Sequence, residues 1–265
     1  MHDAVTRTAT DVMDPARARA LQATLGIAPS IEAGDPLPPF FHHLHFWDPV
    51  PPDRLGRDGH PARGEVLPDL GLPRRMWGAG RLLFHAPLLA GSRADRSSTV
   101  EAVTRKDGRS GPLGLVRLRH DIRQRQALVL TEWQDLVYRP DPDKGAPPPE
   151  PPIAPDTAEA SEEVRFDTTT LFRYSALTFN GHRIHYDRPY ARRVEGYADL
   201  VVHGPLLAQL LILFGQRMLA RPLTEVTYRA TAPLTLPQPA LLCWSAGAAW
   251  VRGPGGIQCM TARFR

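Results

Sequence analysis

Between positions 177 and 206 the chain gathers groups able to move protons and steady a carbonyl: Asn180, His182, Arg183, His185 and the pair Gly204-Pro205. His185 is of the type that titrates near neutrality, so it can take a proton and return it. Asn180, five residues earlier, offers an amide oxygen and N–H donors. These suffice to hold a water but not to accept its proton. His182 and Arg183 add positive hydrogen-bond donors suited to a carboxylate or phosphate. Gly204 permits close approach to the backbone, and Pro205 suits a first helical turn, where its missing N–H is no loss. A helix starting there points its unpaired N–H groups and dipole at whatever lies ahead, favouring a developing negative charge. A thioester carbonyl turning into an enolate is such a charge. Taken singly, each segment also reads as a polar surface loop or an ordinary helix start.

The elements that must position these groups follow from periodicity. Residues 201–219 predict a helix that is apolar over most of its circumference, with Leu206, Leu207, Leu210, Leu211, Ile212, Leu213 and Phe214. Such a helix is buried, here wrapped by a sheet. Asp14-Pro15 predicts a second helix over 16–25, stopped by Gly26. Strand patterns occupy 81–88, 97–105, 113–122 and 127–138, then 164–170, 224–232, 240–251 and 256–265, with a short helix at 171–177. Residues 1–13 read as a loose N-terminus, the apolar run 37–47 as a short strand or helix, and 48–75 as a long loop. The prolines of 140–163 mark a semi-rigid linker. Two units result, 14–139 and 164–265, each with helices followed by an antiparallel meander. This is an α+β architecture duplicated with little residue identity, and the run 39–47 is a shortened counterpart of the long helix.

A length of 265 residues suits two domains, and 42% hydrophobic content supports real cores. The net charge of +4 fits a small anionic ligand better than a nucleic-acid coat. Cys243 and Cys259 flank a turn at 252–256, in a register that does not pair them. No disulfide is expected, which with the missing signal peptide points to the cytoplasm. The longest apolar block is too short to span a bilayer. No metal is expected, because no Cys or His-Glu-x-x-His arrangement accompanies the histidines. The cluster His42, His43 and His45 reads as structural, partly exposed on an element edge.

The run Leu177-Thr178-Phe179-Asn180-Gly181-His182-Arg183-Ile184-His185-Tyr186-Asp187 continues into Glu195-Gly196-Tyr197 and then Val201-Val202-His203-Gly204-Pro205-Leu206. It resembles the MaoC-like (R)-specific enoyl-thioester hydratases and dehydratases of the hotdog fold. Within them it looks most like the branch of mesaconyl-C4-CoA hydratases and type 2 hydroxyacyl-thioester dehydratases. In the first half, Leu37-Pro38-Pro39-Phe40-Phe41, Leu72-Pro73-Arg74-Arg75-Met76-Trp77, 108–113 and 134–139 are similar to the amino-terminal hotdog of the same proteins.

The resemblance implies a double hotdog, two fused units each wrapping an antiparallel sheet around a central helix, with the active site in the second. The general motif holds its water between an Asp and a His five residues apart. Here His185 stands at the His position but Asn180 at the Asp position, Phe179 replaces the preceding Gly, and His182-Arg183 replaces Asn-Pro. The implied catalytic residues are Asn180, His185 and Gly204. The candidate substrate contacts are His182, Arg183, Val202 and His203, and the candidates for the CoA phosphates are Arg93, Arg96, Arg105 and Arg109. The implied reaction is reversible hydration of an α,β-unsaturated acyl-CoA, foremost mesaconyl-C4-CoA to citramalyl-CoA, with no cofactor beyond the substrate's CoA. An itaconyl-type substrate, carrier-protein dehydration, thioester hydrolysis and acyl-CoA binding without turnover are the alternatives. The expected partner is that small molecule, with no nucleic acid or membrane. The chain would be a monomer of two hotdogs or a homodimer.

Overall fold

Ten antiparallel strands form one sheet in the computed structural model, which describes residues 6–62, 67–108, 111–141 and 150–265. They are β1 (Thr6–Val12), β2 (Arg74–Phe84), β3 (Arg93–Gly108), β4 (Gly111–Gln124), β5 (Ala127–Arg139), β6 (Ala160–Val164), β7 (Glu225–Ala230), β8 (Ala240–Ser245), β9 (Ala248–Arg252) and β10 (Gln258–Phe264). The α-helices among these residues are α1 (Pro15–Thr24), α2 (Thr168–Thr178), α3 (Arg188–Arg193) and α4 (Gly204–Leu219). The strand order is β1-β3-β4-β5-β2-β7-β10-β9-β8-β6. Read inward from either edge, each half lays down its strands in the same sequence, and β2 meets β7 at the centre. The duplication expected from the sequence is thus written in strand order. The architecture is an α+β double hotdog.

At the central seam Gly80 pairs with Tyr228. A Cβ on Gly80 would lie 2.1 Å from the Tyr228 hydroxyl oxygen, so only glycine lets that ring cross between the halves. The hydroxyl then donates to the buried Glu132 carboxylate, 3.3 Å away. In the second half α4 lies against β8, β9 and β10. It buries Leu206, Leu207, Leu211, Ile212 and Phe214, in keeping with its all-round apolar pattern. The buried Gln209 on this helix donates to the Pro39 carbonyl of the first half at 3.0 Å. The shortened counterpart of α4 is a single 3-10 turn, Phe41–Leu44.

Several expectations shift. Residues 6–12, read as loose, are β1, paired with β3 along its length. The arginine-rich lead-in at 74–80 is part of β2, because β5 pairs with it on both sides of an irregularity between Trp77 and Ala79. Only Val164 of the stretch 164–170 is in a strand, as the last residue of β6. Asp167 accepts the Thr170 N–H at 2.7 Å and caps α2, which overrides the β-branched preference of the threonines that follow. The stretch 240–251 folds into two strands around Ala246 and Gly247, both at positive φ (46° and 77°).

The described part of the linker is structured. Pro152 has no N–H to give, but its carbonyl accepts from Gln258, and Ile153 bridges Ile257. Pro142, Pro147, Pro148 and Pro149 lie outside the described residues. Cys243 and Cys259 are both buried thiols, held apart by β9, which runs between their strands. Among the described residues no helix is long and apolar enough to cross a membrane.

Candidate active site

α2 ends at Thr178 and the chain turns at Phe179, whose φ of 51° lies in the left-handed region. Glycine would take this conformation without cost, whereas Phe179 carries strain of about 1 kcal/mol. Its ring stacks on Trp47 of the first half, centroids 5.1 Å apart, and that contact offsets the strain. The turn delivers Asn180, whose Oδ1 accepts the His182 N–H at 2.9 Å. A 3-10 turn, Arg183–His185, then carries His185 inward, where it is only 6% exposed.

His185 Nδ1 lies 2.7 Å from the Val201 carbonyl oxygen. A carbonyl only accepts, so Nδ1 bears the proton and Nε2 keeps its lone pair. Burial pushes the His185 pKa down to about 3, only partly opposed by that hydrogen bond. The ring is therefore neutral at physiological pH and oriented as a base. His182, 5.4 Å away between ring centroids, is pushed down to about 2 by burial and by the neighbouring His60 and His185.

His203 is fully buried, with Nε2 2.8 Å from the Ser175 hydroxyl on α2, and it stacks on His185. It also precedes α4, whose first turn no side chain caps among the described residues. Among the described residues no protein group accepts from the Gly204 N–H at this helix start, which directly follows His203. Trp77 of β2 walls this helix start: a Cβ on Gly204 would sit 3.0 Å from its Cε3.

The fold thus brings Asn180, His182, His185, His203 and Gly204 together. It places the other candidates differently. The Val202 side chain is in the core, 2% exposed. Arg183 turns away, paired with Asp187 at 2.7 Å and lying over the Tyr190 ring. Arg96 is half-buried, donating to the Phe46 carbonyl at 3.2 Å. Arg93 and Arg105 stand near opposite ends of β3, about 40 Å apart by strand rise, so they do not converge on one phosphate. Arg109 lies outside the described residues.

Sequence reasoning missed a contribution from the first half. The loop carrying Asp58 and His60 docks on the 180–187 turn. The Asp58 carbonyl accepts the Arg183 N–H at 2.9 Å, and Gly59 packs backbone to backbone against Gly181. Asp58 Oδ2 holds His60 Nδ1 at 3.2 Å, and the His60 ring is 4.5 Å from that of His182. The available signal was a lone Asp-Gly-His inside the stretch 48–75, read as a long loop.

The His42–His45 cluster differs too: His42 and His45 are buried rather than on an exposed edge. His42 and His43 both bind Glu132, at 3.0 and 2.8 Å. Among the described residues folding therefore makes two sets of three possible metal ligands, His42-His43-Glu132 and Asp58-His60-His182, which spacing along the chain does not reveal. A surface cleft of about 580 Å³ beside Arg81, Arg117 and Trp133 has no residue of the 180–187 turn in its lining.

The family model for hydroxyacyl-thioester dehydratase type 2 matches residues 41–236. The chain is 45% identical over 203 residues to the mesaconyl-C(4)-CoA hydratase of Chloroflexus aurantiacus, covering 76% of this chain and 72% of that protein. It is 28% identical over 198 residues to the mitochondrial type 2 hydroxyacyl-thioester dehydratase of Saccharomyces cerevisiae, covering 71% and 69%. HtdX of Mycobacterium tuberculosis shares the fold at a TM-score of 0.68 and 19% identity, covering 98% of this chain and 99% of that one. A second protein of that organism, described as a double hotdog, matches at 0.61 and 15%, covering 100% and 96%. With the family model spanning both units and the motif assembled at the start of α4, the chain belongs to the type 2 hydroxyacyl-thioester dehydratase family of hydro-lyases.

Proposed function

We propose that the protein hydrates the double bond of mesaconyl-C4-CoA to give citramalyl-CoA, and runs the reverse dehydration. The observation that carries the chemistry is a neutral, oriented His185 beside an uncapped helix start at Gly204. The 45% identity to a mesaconyl-C(4)-CoA hydratase supports the choice of substrate.

In this reading the thioester carbonyl accepts from the Gly204 N–H. His185 Nε2 takes a proton from water as the water oxygen bonds to the β-carbon. The π electrons move to the carbonyl oxygen, where the helix N-terminus steadies the enolate; one such donor is worth roughly 3 kcal/mol of barrier. The imidazolium then gives its proton to the α-carbon and the carbonyl reforms. Asn180 holds the water, its Oδ1 having a second lone pair beyond the one used by His182 N–H. Asn180 cannot titrate, so His185 is the sole proton carrier.

The test is a steady-state comparison of mesaconyl-C4-CoA with crotonyl-CoA, with the product identified. The reading expects citramalyl-CoA and a preference for the dicarboxylic substrate. A large preference for crotonyl-CoA removes the substrate assignment and leaves the hydration chemistry standing.

A further inference from the structure

We infer that Arg75, flanked by His60 and His182, binds the carboxylate carried on the substrate's β-carbon, so that the half lacking the catalytic motif selects the substrate. The inference rests on the hydratase reading above and deepens it.

The geometry begins with β2. Arg75 pairs with Tyr138 and Trp77 with Leu136. Residues two apart on a strand share a face. Arg75 therefore lies on the same face as Trp77, the side chain that walls the start of α4. Its positive charge acts on both Asp58 and His182. The docked loop fixes His60 against Asp58 and beside His182, and His182 stands next to His185. The charge of Arg75 thus reaches the Asp58-His60-His182 group that adjoins the base.

The chemistry follows from what Arg75 lacks. Its neighbour Arg74 is bound to Glu195 at 2.7 Å and reaches Tyr197. Arg75 is half-buried, yet its guanidinium makes no hydrogen bond or ion pair with any described residue. Withdrawing a guanidinium from water without a partner is costly, and a planar carboxylate accepts two of its N–H groups at once. The ligand is an anion rather than a cation. Asp58, His60 and His182 also stand close enough to hold a metal, but the field of Arg75 on two of them opposes a second positive charge.

Position selects among anions. The water activated by His185 must reach the β-carbon, so a group on that carbon falls beside His182 and His60. A bound carboxylate would also favour protonation of these two imidazoles, turning them into further donors. Of the candidate substrates, mesaconyl-C4-CoA carries its carboxylate on that carbon and crotonyl-CoA carries none.

The experiment measures kcat/KM for both thioesters with the full-length enzyme and its Arg75→Met and Arg75→Lys variants. Arg75→Met is expected to lower the mesaconyl-to-crotonyl ratio on the order of 100-fold, mainly through KM, with crotonyl-CoA hydration within about threefold of the parent. Arg75→Lys restores part of the ratio, and His60→Gln lowers it by a smaller factor. An unchanged ratio in Arg75→Met, or equal loss on both substrates, overturns the inference while the hydratase reading stands. A parent enzyme that hydrates neither thioester overturns the hydratase reading itself.

Discussion

The imidazoles of His185 and His203 lie face to face, centroids 3.6 Å apart and planes 20° from parallel. Two charged rings at that distance would repel strongly, so the pair tolerates at most one proton beyond the neutral state. His203 is the more enclosed, and burial followed by the charges of His185 and His182 holds it neutral. Its ring therefore acts as a plate that sets the plane of His185, while the Val201 carbonyl sets the tautomer.

From this follows the first expectation. His185→Gln keeps the fold and a hydrogen bond towards Val201 but cannot carry a proton. Hydratase turnover should fall on the order of 100- to 10,000-fold, with an unchanged circular dichroism spectrum. Near-normal turnover in a folded His185→Gln protein would show that the proton travels by another route.

Asn180→Asp tests the residue that departs from the general motif. An aspartate retains the oxygen that accepts the His182 N–H and occupies the same volume. It brings a negative charge close to His182, which raises the histidine's affinity for a proton. Activity should be retained or partly retained. A folded but inactive Asn180→Asp enzyme would mean that the side-chain N–H groups, lost in the exchange, hold the water.

Stability should depend on pH through buried histidines. Burial lowers the pKa of His45 and His120 to about 4, of His185 to about 3 and of His182 to about 2, and it lowers that of His203 as well. Below about 6.5 the unfolded chain binds protons at these positions while the folded chain refuses them until far lower pH. Their full contribution is therefore present above about 6.5 and is lost as pH falls. Each such histidine adds a slope of up to about 1.4 kcal/mol per pH unit. Denaturant midpoints between pH 8 and 5 should fall steadily on the acid side, and a flat profile from 7 to 5 would contradict this account. Within the folded fraction kcat should show no acid limb near 6.5, because His185 is already neutral there.

Much of this was legible in the chain, for identifiable reasons. The helix start at Gly204-Pro205 and the all-round apolar run behind it are local signals, and α4 answers them. Asp14 marks α1 by its cap, and the meander strands show as alternation. The docking of Gly59 on Gly181 was not legible, because it joins residues 122 positions apart through backbone contact. The pairing of His42 and His43 with Glu132 likewise depends on β5 passing beneath a 3-10 turn. Val202 and Arg183 show the converse limit. Adjacency to a motif residue does not decide which way a side chain turns, and Arg183 found Asp187 four residues along its own chain.

The last expectation concerns the helix start itself. Gly204 has no positive φ, so alanine suits its backbone and removes some freedom from the unfolded chain. The obstacle is Trp77, whose Cε3 would stand 3.0 Å from the added methyl. Either the indole or the first amides of α4 must give by a few tenths of an ångström. The indole is held by its stack on Tyr228, centroids 4.6 Å apart. The amides are therefore expected to give, and they are the proposed oxyanion donors. Gly204→Ala should leave the melting temperature within a few degrees of the parent yet lower kcat about 10-fold or more. Trp77→Phe removes the atom in the way. In a double-mutant cycle the Gly204→Ala penalty on kcat should then shrink by most of its value. An equal penalty in both backgrounds would show that the methyl interferes with the thioester directly rather than through the wall.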